Sequence, residues 1–83
     1  HKNIKECDFL IKEELNITQA IQVTKTLEDT DTRKREVAGL LDACQTYNLK
    51  EGLILTQDEE DKFIEKNITI RVKPIWKWLL LEQ

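Results

Sequence analysis

Glycine and proline are scarce, with two and one among 83 residues. Linkers, collagen-like chains and disordered tails draw heavily on both, so their scarcity excludes those classes and argues for regular structure along most of the length. Two glycines also leave no phosphate-cradling loop: GxxxxGK[ST] is absent, and this stretch by itself is not expected to bind ATP. No apolar run approaches the roughly 18 residues a membrane span needs, and Leu79-Leu80-Leu81 is far too short. The one histidine, His1, is terminal and has no partner that suggests catalysis. Two cysteines, Cys7 and Cys44, lack CxxC spacing and fall on apolar faces, which predicts buried free thiols rather than a disulfide. A net charge of -3 and a pI near 5.1 give no global attraction to nucleic acid or to an anionic membrane. The opening His1-Lys2-Asn3-Ile4 has neither an initiator Met nor a signal region and reads as a cut inside a longer protein. Asn16-Ile17-Thr18 and Asn67-Ile68-Thr69 match the glycosylation sequon and are read as chance matches.

What is present suits one small α/β domain spanning 1–83. Two stretches organise it. In Lys5-Glu6-Cys7-Asp8-Phe9-Leu10-Ile11, a period of two puts Cys7, Phe9 and Ile11 on one face and Glu6 and Asp8 on the other. In Thr18-Gln19-Ala20-Ile21-Gln22-Val23-Thr24, Ile21 and Val23 oppose Ala20, Gln22 and Thr24. The polar break Glu13-Glu14-Leu15-Asn16 joins the two as an antiparallel hairpin, with Cys7, Phe9, Ile11, Ile21 and Val23 expected to share the core. Glu6, Asp8, Gln22 and Thr24 then gather on one polar surface, the only candidate site.

Val37, Leu40, Leu41, Cys44 and Tyr47 recur at spacings of three and four, predicting an amphipathic helix of about four turns that any of Asp29 to Thr32 can cap. Asn48 and Gly52 bracket its exit, and the apolar run Leu53-Ile54-Leu55-Thr56 reads as a strand buried on both faces. Strand, helix and strand make a right-handed βαβ crossover with parallel strands. The acidic stretch Gln57 to Asp61 reads as a loop or a single helical turn, and Lys66-Asn67 as the next turn. Ile68, Ile70 and Val72 alternate with polar residues in a half-exposed strand that Pro74 ends, and Ile75 to Leu81 forms a closing helix. The cations Arg33-Lys34-Arg35 read as a solvated patch paired with nearby acids, and Asp58-Glu59-Glu60-Asp61 as a solvated acidic turn without calcium-loop spacing.

The order of a strand with Asp8, a strand with Gln22-Val23-Thr24, a helix and a strand resembles the core of the PD-(D/E)xK nuclease-like fold, here truncated at its first helix and strand. In that fold an Asp and a Glu hold a divalent metal and a Lys two residues on orients the attacking water. Asp8 stands at the Asp position, Gln22 at the Glu position and Thr24 at the Lys position. An amide does not neutralise Mg²⁺ and a hydroxyl supplies no cation, so no catalytic residue and no metal site are assigned; any residual site consists of Asp8, Glu6, Gln22 and Thr24, with Lys12 and Lys25 nearby.

More narrowly, Glu6-x-Asp8-Phe9-Leu10, Ile21-Gln22-Val23, Arg35-Glu36-Val37 with Leu40, Leu53 to Thr56 and the ending Pro74-Ile75-Trp76-Lys77-Trp78-Leu79-Leu80 resemble the C-terminal domain of a family of prokaryotic AAA-type P-loop ATPases of poorly defined function. The resemblance covers nearly the whole chain. It implies a cytoplasmic, non-catalytic accessory or interaction domain whose partner is the N-terminal ATPase half, where ATP and Mg²⁺ would bind. Self-association is a further expectation and a membrane is not. The alternatives are a metal-dependent nuclease using Asp8 and Glu6, or a DNA-binding module without cleavage.

Overall fold

A computed structural model describes residues 7–81; Glu6 and the rest of the first six residues lie outside them. The elements run β1 (Phe9–Glu13), β2 (Asn16–Val23), α1 (Thr30–Thr46), β3 (Glu51–Thr56), β4 (Asp61–Glu65), β5 (Ile68–Pro74) and α2 (Ile75–Leu81). The strands form one mixed sheet in the order β1-β2-β3-β5-β4. β2, β3 and β5 are parallel, and an antiparallel strand closes each side. The α/β class, the β1–β2 hairpin and the parallel pair joined by α1 agree with the sequence reading.

Each turn has a local cause. Glu14 takes φ 58° in the two-residue connection Glu14-Leu15, and Lys66 and Asn67 take φ 52° and 65°, the doubly left-handed pattern that matches the twist of a tight hairpin. Asn48, at φ 60°, lets the chain leave α1, a conformation asparagine tolerates better than most residues. At the other end Asp29 is the cap: its carboxylate accepts from the Thr32 N–H and from the Thr32 hydroxyl, both at 2.9 Å.

β4 was not anticipated. Its Asp61-Lys62-Phe63-Ile64-Glu65 is charged at both ends and shows only two apolar residues, as suits an outer strand kept from pairing with other chains. Phe63 turns toward the core, where the Arg33 guanidinium stacks 4.8 Å from its ring centre and reaches Asp61 at 4.0 Å. The helix-start cations are thus only partly the solvated patch expected. Arg33 ties α1 to β4, and Arg35 lies 3.9 Å from Glu36.

The core lies between α1 and one face of the sheet. From α1 it takes Val37, Leu40, Leu41, Ala43 and Cys44, and from the strands Ala20, Ile54, Ile68, Ile70 and Val72. This corrects the expected facing of the hairpin. Ala20 and Gln22 of β2 face α1, whereas Ile21, aligned with Leu53, belongs to the opposite face. Val23 is partly exposed and Phe9 is 59% exposed, so neither joins the shared core that alternation suggested. Gly52 is corrected as well: it lies inside β3 rather than at the helix exit, and a Cβ there would come within 2.7 Å of Leu40.

On the second face α2 turns back from β5 and rests against β5 and β3. Trp78 lines a groove there with Leu53, Arg71 and Lys73. Arg71 is held by Glu51 at 3.4 Å, and Lys77 reaches the Glu60 carboxylate at 2.9 Å.

Candidate functional site

Asp8 and Gln22 meet, as the hairpin register requires, but Gln22 lies beneath α1 while Asp8 stays exposed at its margin. Gln22 pairs with Ile54 in the register of β2 and β3, which aims its side chain at the helix and leaves it 2% exposed. A buried amide must find partners at both ends or cost roughly 1 to 3 kcal/mol. Gln22 finds them. Its Oε1 accepts from the Asp8 N–H at 2.7 Å, and its Nε2 donates to the Glu36 carbonyl at 3.2 Å. The Asp8 carboxylate closes the loop by accepting from the Val23 N–H at 2.8 Å, so Asp8 and Gln22 hold each other's strands and Gln22 also holds α1.

Thr24 stands apart. Its hydroxyl donates to the Thr26 carbonyl at 3.4 Å and its N–H to Leu55, which makes it part of the exit from β2. Glu6 lies outside the described residues. Lys12 sits toward the other end of β1, opposite Ile17.

Glu36 is the member that sequence reasoning missed: it enters there only within the Arg35-Glu36-Val37 match and among the acids beside the helix-start cations. Its Oε1 is buried and has no hydrogen-bond partner among the described residues. Desolvation raises its pKa above the ordinary carboxylate value; the negative charge of Asp8 raises it further, and Arg35 pulls it partly back. Its position was legible: Glu36 is four residues before Leu40 and next to Val37, on the flank of the stripe that faces the sheet.

Both cysteines are free, as expected, with Cys44 buried and Cys7 half-buried. Burial pushes the Cys44 thiol up to about 11 and raises that of Cys7, opposite to what a reactive thiolate needs. The acidic turn is likewise more structural than its composition suggested. Glu59 accepts from the Leu27 N–H and the Thr26 hydroxyl, both at 2.7 Å, anchoring the link between β2 and α1.

Of Asp8, Glu6, Gln22 and Thr24, the one carboxylate among the described residues is Asp8. Gln22 contributes no charge and spends its oxygen on the Asp8 N–H, while Asp8 spends one oxygen on Val23.

No family model, no curated protein and no solved structure matches the chain. Among the described residues no helix is long and apolar enough to cross a membrane.

Proposed function

We propose that this chain is a non-catalytic accessory domain, used for interaction, at the C-terminal end of an AAA-type ATPase. Its ATPase partner half, with ATP and Mg²⁺, is carried on the resemblance of the Pro74-Ile75-Trp76-Lys77-Trp78 ending and the strands before it. One observation supports the non-catalytic part: both ends of the Gln22 amide are engaged in holding Asp8 and α1 in place. A nuclease-like centre needs a second carboxylate where Gln22 stands and a cation where Thr24 stands, and neither residue can be charged.

Calorimetric titration of the chain with Mn²⁺ and with Mg²⁺ tests the reading, and no heat of binding is expected. A micromolar Mn²⁺ site that disappears in Asp8→Ala, while the circular dichroism spectrum is retained, would sink it and bring back the metal-dependent nuclease.

A further inference from the structure

The helix α2 is apolar almost all round, a composition normal for a helix buried on every side. Only Lys77 among its seven residues is polar, and Glu60 holds that side chain. Trp78 lies in the groove on the sheet, yet Trp76, Leu79 and Leu80 are 55%, 44% and 74% exposed, with Ile75 beside them at 38%. Positions 76, 79 and 80 follow one side of a helix, so these side chains form a continuous stripe rather than scattered exposures. Their exposed area is on the order of 400 Å², a size at which patches mark interaction sites.

We infer that this stripe pairs with the same stripe of a second copy, α2 crossing α2 about a two-fold axis. A stripe without charge carries nothing to select an oppositely charged partner, whereas a two-fold contact needs only self-complementarity. An antiparallel crossing sets each Trp76 beside the second copy's Leu80, so one large ring and one long aliphatic chain meet twice. Two stripes bury at most on the order of 800 Å² of surface, below the roughly 1,200 Å² at which stable specific interfaces begin and in the range of weak, transient ones. The dimer is therefore weak and exchanging. It does not depend on the reading of Asp8 and Gln22 and stands whether or not that site binds a metal.

Sedimentation equilibrium of the whole chain from about 10 µM to about 1 mM tests it, a range that brackets a weak dimer. A monomer–dimer equilibrium is expected, with association weakened at least tenfold in Trp76→Glu and again in Leu80→Glu. Both side chains are already exposed, so each variant should keep the wild-type circular dichroism spectrum. Leu10→Lys, on the outer strand β1, serves as the control and should leave the equilibrium unchanged. A chain monomeric throughout the range overturns the inference. So does a dimer that Leu10→Lys dissolves while Trp76→Glu and Leu80→Glu do not, because association would then run through the sheet edge.

Discussion

Leu40 and Gly52 are expected to be coupled strongly enough that a second substitution rescues the first. Leu40 is fully buried, mid-helix, and its side chain occupies the space over β3 where residue 52 has no Cβ. A methyl on Gly52 would meet Leu40 Cγ at 2.7 Å and the two Cδ atoms at 2.8 and 3.0 Å. The φ of Gly52 is not positive, so the backbone does not demand glycine there, and the nearest obstacle to a side chain is Leu40. Leu40→Ala should cost about 2 to 5 kcal/mol, from lost transfer energy and the cavity left behind. That is a large share of the roughly 4 to 12 kcal/mol expected at this length. Gly52→Ala alone should cost about 1 to 2 kcal/mol, overpacking of about 1 to 3 partly offset by about 0.5 to 1 from stiffening a strand glycine. In the Leu40→Ala background the clash is gone and the new methyl enters the cavity, so the same change should stabilise by about 0.5 to 1 kcal/mol. Urea unfolding followed by circular dichroism at unchanged m-value measures all four corners of the cycle, with sulfate added where Leu40→Ala is too unstable in buffer. Costs that add to within about 0.5 kcal/mol would refute the packing argument.

Two further outcomes follow from the perturbed groups. Because the folded-state pKa of Glu36 is raised, the native chain holds its proton more tightly than the unfolded one, and Glu36 costs stability as pH rises through the folded value. Glu36→Gln should therefore stabilise the chain at neutral pH, with the gain vanishing below about pH 4 as the carboxyl becomes neutral in both states; thermal melts at pH 3.5 and 7.5 compare the two, and an equal gain at both would count against a charge effect. At pH 8 iodoacetamide should label Cys7 well before Cys44, since the first is half-buried and the second is enclosed with its thiol raised to about 11. Mass spectrometry of the native protein reads the order, and equal rates without urea would contradict the packing of α1.

Much of the fold was legible because it rests on local periodicity. Val37, Leu40, Leu41 and Cys44 repeat at helical spacing wherever the helix docks, and Leu53 to Leu55 is too apolar for anything but an interior strand. Proline after an alternating strand, and acids ahead of α1, place boundaries by backbone and capping chemistry alone. β4 escaped because an outer strand needs few apolar residues, and its partner β5 supplies what its own sequence does not announce. Alternation shows that Ile21 and Gln22 face opposite ways, but not which of them faces the helix. Only the docking of α1 decides that, and it placed the polar residue inside, where the Asp8 N–H and the Glu36 carbonyl make an amide acceptable. The sequence by itself thus determined that Ile21 and Gln22 lie on opposite faces of β2 and that neither Gln22 nor Thr24 carries a charge. The tertiary structure alone decided that Asp8 and Gln22 lock β1, β2 and α1 together and that Glu36 joins them, because hydrogen-bond satisfaction depends on what is packed opposite, which no spacing along the chain records.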